Sequence, residues 1–490
     1  MAERRLSYPL AQATWAPRHF RNLIRRGCPE AIGMSRQKKR TAWIILACTL
    51  LALALRLYFT NVAIVDKPIS GDARDYTAYA WNLINHSVFS SAAPSPAKPV
   101  PDSYRDPGYP VFLAAVVSAF PTGWYGAVRW IQCLLGALTV LALLAAARDW
   151  LRDGWLIAAG VLMAVWPHCI TIPTYILSET LFGFLVAMAL AATNEAIRRT
   201  DTRWACAGGL MFGAAALTNA VLMPFAPMVA AIFAWRSPTE RRQWLALLLC
   251  AVMLPGAWLA RGATIDAGQS AGLRASTNFV QGSWSSYHAA AHGVAAGDET
   301  SKRIMGTIDG EVAEMARDPS AGLHAILDRL QATPRDSMSW YLSKPALLWS
   351  WNLQIASGHI YPFATSHSPF QVRNALYAMT QLLIAMNDWM AAAALAGCLV
   401  VAFRGVGGTA SLSSMLLLYV TAVYGILQSE PRYVIAFRGE EILLAVLAVA
   451  TATRAIFEPN GPVLRHFRRT TSRFGNEKAG GLADGMDRAE

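Results

Sequence analysis

The chain has 490 residues, 54% of them hydrophobic and 15% charged, with a formal net charge of +12. That composition excludes an ordinary soluble enzyme of this length, because so much apolar surface needs lipid to cover it. Nor does the positive charge imply nucleic acid: the basic residues gather in an N-terminal segment and in short loops, where anionic membrane lipid is the expected partner.

Residues 1–40 carry Arg4, Arg5, Arg18, Arg21, Arg25, Arg26, Arg36, Lys38, Lys39 and Arg40 against only Glu3 and Glu30. The segment is too basic and too long for a standard cleaved signal peptide, so the apolar run Thr41 to Thr60 reads as a retained anchor. Further apolar runs follow at Trp124 to Ala147, Gly154 to Pro167, Thr174 to Ile197, Trp204 to Leu217, Ala220 to Trp235, Trp244 to Ala260, Val372 to Phe403, Ser411 to Leu427 and Ile435 to Thr453. Together they predict an all-α polytopic membrane protein with about 10–12 helices, ten by this reading, although several runs are shorter than the ~20 residues of a full crossing. The seven cysteines show no CxxC or metal-ligand spacing, and no disulfide framework is expected.

Lys and Arg accumulate on the cytoplasmic side of membrane proteins. With residues 1–40 inside, ten spans also place inside the loops bearing Arg148 and Arg152, Arg198 to Arg203, Arg236 to Arg242, and Arg404, together with the basic start of a tail, residues 457–490, expected to be partly disordered. The membrane core is then 41–260 and 372–456, with outer loops at 61–123 and 261–371. The 11-residue apolar stretch Pro110 to Phe120 is too short to cross and predicts a re-entrant or interfacial helix.

In the first outer loop, GDARDYTAYAWNL sets Asp72 and Asp75 at the start of an amphipathic helix whose apolar side carries Tyr76, Tyr79, Ala80, Leu83 and Ile84. Both acids have a plain structural reading, Asp72 as N-cap and Asp75 in the first turn, where each satisfies free amides. The next segment, Tyr104 to Pro110, has two prolines and a glycine fixing a turn that holds Arg105 at headgroup level, either to snorkel or to bind a lipid phosphate. Glu179 opens the fourth run, Arg261 closes the seventh, and Arg432 with Tyr433 lies between the ninth and tenth, where Glu430 is an alternative partner for Arg432. All fall at one face. The second outer loop offers Trp284, His288 and His292, and, without HExxH, reads as a cap over the site rather than a zinc centre. Trp340, Trp349 and Trp351 mark an interfacial segment.

GDARDY after the first span, RDPGYPVFLA, SETLF, LPGAWLAR and EPRYVIAF, in that order, resemble the GT-C membrane glycosyltransferases, most of all bacterial relatives of the protein O-mannosyltransferases and of the lipid A aminoarabinose transferase. The likeness covers about residues 41–455 and is poor over Ala271 to Met338. It implies a GT-C-like bundle that transfers one sugar, with inversion, from a polyprenyl-phosphate carrier to an envelope glycan, lipid or protein outside the inner membrane. The family's catalytic acid falls on Asp72, although here Ala73 follows it and the next acid is Asp75. Asp75 and Glu179 are further candidates for the catalytic acids; a departing phosphate needs cations around it, which makes Arg105, Arg261 and Arg432, with Tyr433, the candidates to bind the donor phosphate, and Tyr109, Trp284 and His288 are the candidates to recognise the acceptor or the loop.

No cofactor is required by these residues. A divalent cation held by Asp72, Asp75, Glu179 and His168 remains open, since no ligand spacing demands one. A transporter would place its charges near mid-membrane in paired halves, whereas here they sit at one face. A glycan polymerase or ligase with a diphosphate-linked donor is the nearer rival, since it too needs outer-face arginines.

Overall fold

A computed structural model describes residues 36–265 and 270–457. The expectations for the first 35 residues and for the tail lie outside the described residues. The chain divides into two units, 1–40 and 41–490, and of the first only the opening of helix α1 (Arg36–Val62) is described.

The protein is helical and polytopic. All ten apolar runs coincide with helices: α1, α4 (Trp124–Ala147), α5 (Asp153–Val165) with α6 (Pro167–Thr171), α7 (Glu179–Arg199), α8 (Thr202–Thr218), α9 (Phe225–Arg236), α10 (Arg241–Gly262), α16 (Ala375–Arg404), α17 (Thr409–Ile426) and α18 (Arg438–Phe457). Among the described residues, six helices are long and apolar enough to cross a membrane, and Asp153–Val165 with Pro167–Thr174 forms a pair bent by 58°, a broken span or a re-entrant loop. The bend follows from Pro167, which forces Trp166 out of the helical region to ψ 117. The other three fall short for stated reasons. Helix α8 has 17 residues, or ~25 Å of rise against a ~30 Å hydrocarbon core. The segment Ala220–Arg236 is equally short, and α18 carries Arg438, Glu440 and Glu441 in its first turn.

Small residues set the helix spacing. A Cβ on Gly209 of α8 would lie 2.3 Å from the Leu247 carbonyl oxygen of α10, and one on Gly397 of α16 would lie 2.1 Å from that of Leu444 on α18. At one end, Arg198 reaches Asp149 at 3.4 Å, and the Asn194 side chain accepts the Thr409 amide at 3.0 Å. The arginine-bearing loops after α4, α7 and α16 therefore share an end, as the charge rule requires. Not every charge lies at a face, however. Arg56 in α1 and Arg438, Glu440 and Glu441 in α18 are buried within helices read as spans, with Arg438 donating to Glu441 at 2.7 Å. The one-face reading of the charges is corrected there.

The two long connections at the site end meet through a short antiparallel pair, β1 (Ile64–Val65) with β2 (Thr365–Ser366). The first contains α2 (Asp72–His86) and α3 (Gly108–Ala119). Tyr76, Tyr79 and Ala80 of α2 turn inward, while Ile84 is 41% exposed, so the apolar side of this helix is divided between protein and exterior. Helix α3, 12 residues long, is the short apolar helix expected at Pro110. The second connection folds as α11 (Ala271–Gly282), α12 (Tyr287–Ala295), α13 (Glu299–Arg317), α14 (Pro319–Ala332) and α15 (Pro334–Leu348), around Val280, Ile308, Met315 and Ile326. It is tied down by Lys344, fully buried, whose ammonium donates to the carbonyls of Gly282, Ile426 and Leu427 at 3.0, 3.3 and 2.6 Å.

Candidate active site

Helix α2 begins at Asp72 because Gly71 takes φ 50, a value costly for any residue with a Cβ. Gly71 is therefore the N-cap, no side chain caps the helix, and the capping reading of Asp72 is corrected. The amide ends do not hold the two acids; arginines do. Arg105 Nη2 lies 2.8 Å from Asp72 Oδ1 and 2.7 Å from Asp75 Oδ2, and its Nε is 3.2 Å from Asp75 Oδ2. Arg432 Nη2 donates to the other Asp72 oxygen, and its Nε lies 2.6 Å from Glu179 Oε1. The result is an unbroken ladder, Asp75, Arg105, Asp72, Arg432, Glu179, drawn from segments up to 360 residues apart.

Local structure aims each rung. The turn between Tyr104 and Gly108 places the Arg105 guanidinium 5.7 Å from the Tyr76 ring centre and 5.8 Å from that of Tyr104. Arg432 sits in the 3-10 turn Pro431–Phe437, and Glu179 is the first residue of α7. The ladder holds three carboxylates against two guanidiniums. Burial raises the Asp72 carboxyl, but the charges of Arg432 and Arg105 and their hydrogen bonds outweigh it and hold the group well below the usual range. Tyr76 is pushed up to about 12 by burial and by Asp72.

The other candidates separate. Arg261 donates to the Asp102 carbonyl at 3.0 Å and lies against the Trp258 ring at 4.6 Å, so it braces the long connection after α1 and touches neither Asp72 nor Asp75. Tyr433 stacks on Tyr424 at 5.1 Å with its hydroxyl on Gln428, behind Arg432. Glu430 does not pair with Arg432; it accepts the amides of Gln354 and Ile355 at 2.8 and 3.3 Å and faces His288 at 3.6 Å. Burial pushes Glu430 up to about 7, and burial with His292 and Lys344 brings His288 down to about 4.

Tyr109 is fully buried and donates to Gln132 at 2.8 Å, so it presents no face to an acceptor. Trp284 is likewise committed, with Nε1 on Glu311 at 2.9 Å and Arg329 against its ring at 4.1 Å. His168 bonds the Trp351 carbonyl at 2.9 Å and does not join the carboxylates. Among the described residues no group of three or more acids, histidines or cysteines is arranged to hold a metal ion.

Sequence reasoning missed Arg274. From α11 it reaches back to pair with Asp106, which also accepts the Ala220 amide at 3.1 Å. Asp106 lay in a quoted motif, but Arg274 lies where the resemblance is poor, so nothing pointed to it. Also missed was Asp102, which takes Tyr79, the Ser91 amide and hydroxyl, and the Tyr104 amide. A cavity of about 820 Å³, bounded by Asp75, Trp81, Tyr104, Leu113 and Trp124, adjoins the ladder between α2 and α3.

No family model and no curated protein matches the chain. Solved structures do. The archaeal oligosaccharyltransferase AglB from Archaeoglobus fulgidus, in complex with an inhibitory peptide and a dolichol-phosphate, matches with 14% identity and a TM-score of 0.47 over 89% of this chain and 52% of that one. ArnT from Cupriavidus metallidurans bound to undecaprenyl phosphate matches with 14% identity and a TM-score of 0.36 over 86% and 80%. The chain thus spans about half the length of the oligosaccharyltransferase it matches.

Proposed function

We propose that this protein is an inverting glycosyltransferase that moves one sugar from a polyprenyl-phosphate donor to a hydroxyl of an envelope acceptor, on the outer face of a bacterial inner membrane. The observation that carries the reading is Asp72 held between Arg105 and Arg432, an acid and two guanidiniums, the side-chain type suited to phosphate, brought together at one end of the helical bundle.

The chemistry suits these groups. A lipid phosphate is already a good leaving group and needs its developing charge neutralised, which Arg105 and Arg432 supply. A neutral hydroxyl is a weak nucleophile and needs a base as it attacks, a contribution of roughly 10² to 10⁴ in rate. In the step, the acceptor oxygen bonds to the anomeric carbon and its proton passes to Asp72. The bond from that carbon to the phosphate oxygen breaks, and the electron pair leaves with the polyprenyl phosphate. Glu179 and Asp75 orient the arginines. Arg261 is assigned to the loop frame and Arg274 to the turn that carries Arg105.

The test is mass spectrometry of envelope glycans and lipid-linked sugars from cells lacking the protein, restored with wild type or with Asp72→Asn. Loss of one sugar from an envelope polymer, with build-up of its polyprenyl-phosphate donor and rescue by wild type alone, is the expected outcome. Full rescue by Asp72→Asn removes Asp72 as the base.

A further inference from the structure

The base role proposed for Asp72 conflicts with its place in the structure. A base needs affinity for a proton, yet each of its carboxylate oxygens accepts a charged hydrogen bond, from Arg105 at 2.8 Å and from Arg432, and the two cations hold that affinity down. The same two guanidiniums are the groups a donor phosphate would use. A phosphate entering beside Asp72 would also meet the carboxylate charge of Asp72 itself on the two guanidiniums it seeks, and be repelled by it.

The arrangement contains its own resolution. Asp75 binds Arg105 through both Nε and Nη2, at 3.2 and 2.7 Å, and Glu179 binds Arg432 through Nε at 2.6 Å. Each arginine therefore has one acid of its own. Among the described residues Asp72 is the only acid shared by both, so it can leave while both guanidiniums stay aimed. A phosphate presents a pair of anionic oxygens just as a carboxylate does, and can span the same two donors.

Resting on the transferase reading above, we infer that Asp72 is a resident counter-ion occupying the seat of the donor's phosphate, and that a lipid phosphate displaces it from Arg105 and Arg432. The displaced carboxylate regains its basicity, because the two charges that suppress it are now spent on phosphate. Binding is consequently ordered: the base is uncovered only once the donor is seated, and an acceptor arriving first meets an acid that cannot take its proton.

The experiment is calorimetric titration of the full-length protein in nanodiscs with farnesyl phosphate, farnesol and inorganic phosphate. Competition between Asp72 and phosphate predicts that Asp72→Asn binds farnesyl phosphate at least tenfold more tightly than wild type, while Arg432→Ala binds at least tenfold more weakly. Farnesol tests whether phosphate is needed, and inorganic phosphate whether the lipid is. A second readout uses wild type alone: difference infrared spectra with ¹³C-labelled aspartate should show a carboxylate leaving an arginine-paired state as farnesyl phosphate binds.

Unchanged or weaker binding by Asp72→Asn, with the arginine variant impaired, overturns the exchange and leaves the transferase reading in place. A wild-type spectrum unmoved at saturation does the same. Equal binding of farnesol and farnesyl phosphate, or undiminished binding by Arg432→Ala, overturns both.

Discussion

Replacing Arg432 with alanine tests the ladder as a structural unit. The change removes the 2.6 Å bond to Glu179 and the bond to Asp72, leaving Glu179 without its arginine and Asp72 with Arg105 alone. The side chains of Arg432, Glu179 and Asp72 are only 16%, 9% and 22% exposed, so solvent screens little of the loss. Charged hydrogen bonds contribute roughly 1.5–3 kcal/mol each, and stripping one partner from a buried pair costs about 3–5 kcal/mol. A loss of about 3–5 kcal/mol is therefore expected. Arg432→Lys should recover less than half of it, because one ammonium cannot span both acids along a guanidinium edge.

The pH dependence carries the sign. The folded Asp72 carboxyl is held below its unfolded value, so its contribution is present above about pH 4 and is lost as pH falls through the folded value. The deficit of Arg432→Ala should accordingly shrink in acid. The assay is denaturant unfolding in mixed micelles, near neutrality and in acid. A neutral-pH deficit below about 0.5 kcal/mol, or one that does not diminish in acid, refutes the reasoning.

Gly209→Ala should destabilise by about 1–3 kcal/mol, since the new methyl meets the Leu247 carbonyl at 2.3 Å; a stabilised variant, driven by alanine's helix propensity, would show that α8 and α10 are not in such close approach. Burial brings Lys344 down to about 7, so between there and its ordinary 10.5 the unfolded chain binds more protons and stability rises with pH; Lys344→Met should abolish that slope in thermal melts. Glu430, raised to about 7 from 4.5 by burial, contributes the opposite slope, with stability present below 4.5 and lost as pH rises through 7, and Glu430→Gln should flatten it.

Much of the architecture was legible because lipid imposes long apolar runs that no other constraint produces. Asp72, Arg105, Glu179 and Arg432 were legible for a related reason: each stands where an apolar run or a proline turn stops, and a charge there is conspicuous. Their pairing was not, since nothing in the order of residues says that Arg432 reaches Asp72 rather than the neighbouring Glu430. Arg261 and Tyr109 were equally conspicuous yet turn away from the ladder, because side-chain direction is settled by packing. Arg274 was hidden by an unremarkable helical context. The charges at Arg438 and Glu441 were absorbed into an apolar run, where averaging over a window masks two groups that cancel each other by contact.

Gln132, uncharged and in the middle of α4, accepts from the Tyr109 hydroxyl at 2.8 Å and donates to the carbonyls of Pro173 and Tyr175 at 2.9 and 2.8 Å. Tyr109 stands four residues after Arg105, and Tyr175 four before Glu179. One amide is thus the survey mark from which both the arginine turn and the approach to the glutamate are levelled. The alignment of opposite charges at the end of the bundle is referenced to a neutral benchmark buried inside it, beyond the reach of salt and of dissolved ions.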